Sequence, residues 1–286
     1  MKIITNDYGC GTSSSIIDYN IHDVIIVSEN NYEFIYEIND DLFFVGHDFL
    51  LYLWDTEEKV RKWKSHKYRK AVWCFERVDA IFEIWKIKSL YSISMLKKFV
   101  DQIYVCDEDD VGKYGDWFPQ WASPNFYNLK DRKIDNLNYL FSGQAGKVEY
   151  KIRTELLNNI LKDETLKNQF KITNIDRTLT WDKYCDNVLS YKGILNPVGT
   201  LKGFNTRTYE VMYSGRILLQ QKIGKYDYHE SLLENHENII LFETFEELKS
   251  KLTNHVTNHV IKSNADLFFK ENNIFERFKK IGVDIK

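Results

Sequence analysis

The chain is 286 residues long, 43% hydrophobic and 28% charged, with a net charge of −3. That length suits two domains of about 130–150 residues each, and so small a charge gives no general mandate for a polyanion partner. The four cysteines, Cys10, Cys74, Cys106 and Cys185, form no C-x-x-C pair, which excludes the usual zinc and redox motifs.

No apolar run reaches the ~18 residues of a membrane span, and MKIITNDYG lacks the apolar stretch of a signal peptide. A cytoplasmic protein with reduced, buried thiols is expected. Charge is unevenly spread. Residues 1–130 hold 15 Lys and Arg against 21 Asp and Glu, and residues 131–286 hold 24 against 21. An anion site is therefore expected in the second half.

A first strand is predicted at Lys2–Thr5. The loop after it, NDYGCGTSSS, puts Gly9, Gly11 and Thr12 beyond a strand end, where α/β proteins meet ligands. A flexible turn with a hydroxyl helix cap fits the same residues. Strands at Asp23–Ser28 and Asp41–Val45 and a helix at Glu57–His66 follow. The segment KVRKWKSHKYRK carries seven Lys and Arg in twelve residues. On a helix, Lys62, Trp63, Lys67 and Lys70 lie along one stripe, suited to DNA or a phosphate-bearing polymer as acceptor. A solvated helix face with its Trp turned inward gives the same pattern. The strand Ala71–Phe75 ends at Glu76. A carboxylate there can take a proton from an acceptor hydroxyl. Asp79 is the competing candidate, and a solvated loop acid or an ion-pair partner of Arg77 is the plainer alternative.

After the strand Gln102–Cys106, the segment WFPQWASPNFYN contains Pro119 and Pro124. Proline stops regular structure, which places a boundary near residue 130 and two domains at 1–130 and 131–286. A new strand–loop–helix pattern starts at Tyr139–Ser142. Its turn, FSGQAGK, lets the backbone at Gly143 and Gln144 approach a diphosphate, with Arg153 on the helix Glu149–Leu161 as a phosphate charge. It lacks the ending of a P-loop, and a plain turn beside a solvated Arg also fits. Further strands are predicted at Ile194–Asn196, Arg216–Gln220 and Ile239–Phe242, with helices at Arg207–Ser214 and Phe245–His255. Short apolar runs alternating with helices mark α/β architecture with parallel sheets buried on both faces. The helical tail from Asn264 packs back across the body. His255 and His259 stand four apart, but with no acid or thiol beside them no metal is expected.

The stretch LKGFNTRTYEVMYSGRILLQQ concentrates polar chemistry at a helix start. Asn205 and Thr206 are N-cap types. The first-turn N–H groups make an anion site, and Arg207 adds a fork suited to phosphate. Glu210, one turn on, can accept both hydroxyls of a ribose. A capped helix with an Arg–Glu surface pair is the alternative.

GFNTRTYEVMYSGRILL resembles the donor-site helix of the CgeB/YkvP-like glycosyltransferases of the GT-B superfamily. YCDNVLSYKGILNPVGTL, IILFETFEELKSKL and YLFSGQAGKVEYKIRTELLNNIL resemble the surrounding units of the same domain, and DQIYVCDEDD with GDWFPQWASPNFY resembles the end of the acceptor domain. The resemblance covers roughly residues 100–255. It implies two Rossmann-like domains facing a cleft, with a nucleotide-sugar donor, a UDP-sugar foremost, held by Arg153, Arg207 and the helix start at Asn205–Thr206. Glu210 would hold the ribose, Glu76 would act as base, and neither metal nor cofactor is required. Many retaining relatives carry a glutamate eight residues before the one matching Glu210. Here Lys202 stands there, so the stereochemical outcome stays open. A phage DNA β-glucosyltransferase also keeps Arg-x-x-Glu without the first glutamate, which keeps nucleic acid among the acceptors. Two rivals remain: a UDP-sugar epimerase or hydrolase of the same fold, and a non-catalytic polymer-binding relic.

Overall fold

The computed structural model describes the chain except residues 7–11, 29–30, 47–52, 55, 75–77, 79–92, 148–149, 174–180, 200–203, 235 and 255–261. It divides into two compact units, residues 1–120 with 274–286, and residues 121–273. The division falls between Pro119 and Pro124, earlier than the expected residue 130. Pro124 takes the first position of a short helix, Pro124–Asn128, whose N-cap Ser123 accepts from the N–H of Asn125 at 3.1 Å.

The first unit holds a parallel sheet of six strands: β1 (Lys2–Asn6), β2 (Val24–Val27), β3 (Leu42–Val45), β4 (Lys70–Cys74), β5 (Gln102–Val105) and β6 (Asp116–Trp117), in the order β2-β1-β3-β4-β5-β6. β3 and β4 are buried along their whole length, as a strand covered on both faces must be. The tail is two helices rather than one. Its last helix, Ile274–Lys280, belongs to this first unit, because Phe278 seats its ring 4.7 Å from Phe43 and 5.5 Å from Phe118.

The second unit holds a parallel sheet of five strands: β7 (Asn136–Ser142), β8 (Phe170–Thr173), β9 (Tyr191–Asn196), β10 (Ile217–Gln221) and β11 (Ile239–Phe242). Their order is β11-β10-β9-β7-β8, so the direction of winding reverses between β7 and β9. Leu140, Ile194 and Leu218 point to one face, and Phe141, Leu195 and Leu219 to the other. The first face is covered by Tyr209, Met212 and Tyr213 of the helix Thr206–Ser214, backed by Phe268 from the helix Lys262–Asn272. The second is covered by Leu156, Leu157 and Ile160 of the helix Lys151–Lys162. Each such side chain contributes about 1.5–3 kcal/mol on burial. Alternation along the central strands therefore reaches two cores at once.

His236 sits under this second unit, 7% exposed, with its ring edge-on to Phe268 at 5.1 Å. Burial pushes its pKa below the usual imidazole value, against a weaker pull from Glu271. A depressed folded-state pKa means stability that is present above pH ~6.5 and is lost as pH falls. We expect urea stability to drop between pH 7 and pH 5, and His236→Leu to flatten that drop. Parallel slopes for both proteins would remove His236 as the cause.

Among the described residues no helix is long and apolar enough to cross a membrane. Cys74, Cys106 and Cys185 are buried free thiols, and Cys10 lies outside the described residues.

Candidate functional site

In an open α/β sheet, ligands lie beyond the carboxyl ends of the strands where the winding reverses. In the second unit that point is the pair of loops following β7 and β9. Gly143 and Gln144 follow β7, and Pro197, Val198 and Gly199 follow β9. Arg153 and Arg207 come together against these loops.

Arg153, 8% exposed, leaves its helix to reach both. Its Nη1 donates to the carbonyl of Gln144 at 2.9 Å and its Nε to that of Val198 at 3.3 Å. Its Nη2 donates to the carbonyl of Pro197 at 3.5 Å. The guanidinium also lies 4.6 Å from the centre of the Tyr150 ring. A side chain on Gly199 would require Nη2 of Arg153 to shift. Arg207 approaches from the start of the second helix. Its guanidinium lies 5.9 Å from the centre of the Phe141 ring, and that of Arg153 lies 5.8 Å from the same centre. Gly143 leaves the space: a Cβ there would stand 3.3 Å from Nη2 of Arg207.

Two guanidiniums so close repel. Burial first, and then the charge of Arg207, lower the pKa of Arg153 to about 10. Among the described residues the hydrogen bonds of the Arg153 guanidinium all go to carbonyls, beside the Tyr150 and Phe141 rings. Arg207 has an acid nearby in Glu210, which is 3% exposed. Burial pushes the Glu210 carboxyl up, while Arg207 and a hydrogen bond from Tyr184 pull it down. The Tyr184 hydroxyl donates to Oε2 of Glu210 at 2.6 Å. Glu210 is therefore an inward group, and a ribose reaching it would share the carboxylate with Tyr184.

The helix Thr206–Ser214 begins as expected and is closed by Gly215 in the left-handed region, φ 67°. Asn205 is its N-cap, with Oδ1 accepting from the N–H of Arg207 at 3.0 Å, and Thr208 completes a capping box. Behind this cap lies a buried network that the sequence reading missed. Asn196, at the end of β9, donates through Nδ2 to Asn205 Oδ1 at 3.2 Å, Thr208 Oγ1 at 3.2 Å and Gln220 Oε1 at 2.8 Å. Thr208 Oγ1 donates to Gln220 Oε1 at 2.8 Å. The signal was visible: an amide ends each of two apolar strands, ILN and LLQ. Tyr184 had no such signal.

Gly143, Gln144, Arg153, Asn205, Arg207 and Glu210 thus converge in one place, with the half-buried Thr206 on the same helix turn. Gly9, Gly11, Glu76, Asp79, Lys202, His255 and His259 lie outside the described residues, and Thr12 opens a short helix, Thr12–Ile17. The basic stripe is dismantled. Trp63, 2% exposed, donates its indole N–H to the carbonyl of Phe99 at 2.6 Å. Lys70, 8% exposed, donates to the carbonyl of His66 at 2.7 Å and caps the Trp63 ring. Lys62 is exposed and pairs with Glu58 at 3.1 Å, and Lys67 is exposed. Two of the four residues are core, because β4 starts at Lys70 and the helix turns its one large apolar side chain inward.

No family model matches the chain, and no curated protein matches it in sequence. Solved structures match in fold. The crystal structure of Anabaena Alr3699/HepE in complex with UDP aligns with a TM-score of 0.54 at 11% identity, over 99% of this chain and 98% of that one. The trehalose-6-phosphate synthase OtsA aligns at 0.55 with 9% identity, over 96% of this chain and 83% of that one. An alpha,alpha-trehalose-phosphate synthase (UDP-forming) from Burkholderia xenovorans, in complex with glucose-6-phosphate, aligns at 0.52 with 9% identity, over 95% and 81%. At such identities the likeness is one of fold. The fold class is α/β of the GT-B kind, with two Rossmann-like units.

Proposed function

We propose that this protein is a glycosyltransferase that moves a sugar from a nucleotide-sugar, a UDP-sugar foremost, to a hydroxyl acceptor, in the manner of the CgeB/YkvP-like enzymes it resembles. One observation carries the reading: two arginines converge at the winding reversal of the second unit, and one of them has hydrogen bonds to carbonyls and contacts with aromatic rings, but no acid, among the described residues. Adjacent cations on that scale call for a multiply charged anion. A diphosphate has the right charge. The first structure reported above also holds UDP on this fold.

In the reaction, the bond from the sugar to the β-phosphate oxygen breaks, and the acceptor oxygen forms the new bond to the sugar. Negative charge grows on the departing diphosphate, and Arg153 and Arg207 stabilise it as it forms. The acceptor proton goes to Glu76, or to Asp79 if Glu76 is not the base. Glu210 holds the ribose while balancing Arg207. The acceptor supplies a hydroxyl, with DNA or a phosphate-bearing polymer among the candidates, and no metal or cofactor enters this scheme.

UDP should raise the melting temperature of the full chain by several degrees at a hundredfold excess over Kd, equivalent to about 2.7 kcal/mol. Arg207→Ala should abolish most of that rise. A panel of UDP, GDP, ADP and their sugars with no shift would remove the reading. Product analysis of UDP-sugar without acceptor separates transfer from isomerisation or hydrolysis.

A further inference from the structure

We infer that Tyr184 is a positioning residue of the donor site: its hydroxyl locks Glu210 and Arg207 into one rigid unit, so that the Arg207 fork is aimed before any nucleotide arrives. The inference rests on the diphosphate reading given above and adds a residue to it.

The two arginines are held in different ways. Arg153 is fixed by three main-chain carbonyls, from Gln144, Pro197 and Val198. Arg207 has no such cage among the described residues, and its buried Nε is without a hydrogen-bond partner. It also feels the repulsion of Arg153. An arginine left in that position would sample several rotamers, and fixing it costs side-chain entropy. Tyr184 does for Arg207 what the main chain does for Arg153. Its O–H donates to Glu210 Oε2 at 2.6 Å, and its oxygen accepts from the Arg207 guanidinium. Tyr184 is itself fixed. It stands on the helix Trp181–Leu189, with its ring edge-on to Phe126 at 6.2 Å. Burial and the neighbouring Glu210 push its phenol far above the ordinary range, so it keeps its proton and remains a donor.

The test uses the full chain and UDP as probe. Tyr184→Phe keeps the ring against Phe126 and removes only the hydroxyl. It should weaken UDP binding by about tenfold or more, the scale of a lost hydrogen bond to a charged group. In an Arg207→Gln background the same substitution should leave UDP affinity unchanged, because no guanidinium remains to be aimed. Equal losses in both backgrounds would mean a merely structural tyrosine, and no loss in the parent background would overturn the role outright. A second readout needs no ligand. In 15N spectra, the Arg207 Nε–H should become mobile in Tyr184→Phe while the Arg153 Nε–H stays rigid. If the parent chain does not bind UDP, the diphosphate reading fails on its own. A rigid Arg207 in the variant would then sink the Tyr184 role separately.

Discussion

Replacing Arg216 by methionine should lower the stability of the chain by about 3–5 kcal/mol, the range for breaking a buried, fully bonded charge site. Arg216 is 1% exposed and all its bonds go to main-chain oxygens. Nε donates to the carbonyl of Leu189 at 3.0 Å, Nη2 to Leu189 at 2.7 Å and Arg132 at 2.8 Å, and Nη1 to Lys130 at 3.2 Å and Ser214 at 3.4 Å. Leu189 and Ser214 are the last residues of the helices Trp181–Leu189 and Thr206–Ser214. Their carbonyls have no partner within their own helices, and the carboxyl end of each helix carries partial negative charge. One guanidinium therefore closes two helix ends and pins residues 130–132 to them. Methionine fills much of the volume and none of the donors. Arg216→Lys, with three donors on a flexible stem, should recover only part of the loss. Urea unfolding of the three proteins checks this. A methionine variant within 1 kcal/mol of the parent would show that water replaces the guanidinium, and the helix-end account would be wrong.

Arg216 also shows where the sequence stops being readable. As the first residue of an apolar run it looked like the start of a strand, but β10 begins one residue later and Arg216 is a bolt behind it. The runs themselves were legible, because a strand buried on both faces has little choice but to be apolar. The cap at Asn205 and the stop at Gly215 were legible for the same kind of reason, since local backbone geometry demands those residue types. β8 was not: FKIT follows a polar stretch, and only one of its residues is fully buried, because it is an edge strand. Nor was the fate of KVRKWKSHKYRK. Seven cations in twelve residues read as a surface, yet Trp63 and Lys70 are held inside by bonds to Phe99, His66 and Tyr68, partners that sequence spacing alone does not indicate. For the candidate site, the residues that the structure brings together beside the loops after β7 and β9 were read from the sequence, and those that hold them were not. Asn196, Gln220 and Tyr184 act through contacts 9 to 26 positions away in the chain.

Arg153→Met should reduce UDP affinity by about a hundredfold, close to 2.7 kcal/mol, while changing the stability of the ligand-free chain by no more than about 1 kcal/mol, because opposing terms offset. The substitution orphans the carbonyls of Gln144, Pro197 and Val198, which is destabilising. It also removes a buried cation that Arg207 repels, which is stabilising. Methionine also loses the contacts of the guanidinium with the Phe141 and Tyr150 rings, a small further cost. Binding has no such offset, since a diphosphate loses half of its fork-shaped partners. Arg153→Lys preserves the charge without the planar fork and should fall between the two. Isothermal titration with UDP, alongside urea unfolding of the free proteins, reads both quantities. The pairing of the two results is the informative part: a site shaped for an anion is one where the free protein gains little from the residue that the complex needs most. Should Arg153→Met bind UDP as tightly as the parent, the anion sits elsewhere, and the converging arginines at β7 and β9 are a feature of the fold alone.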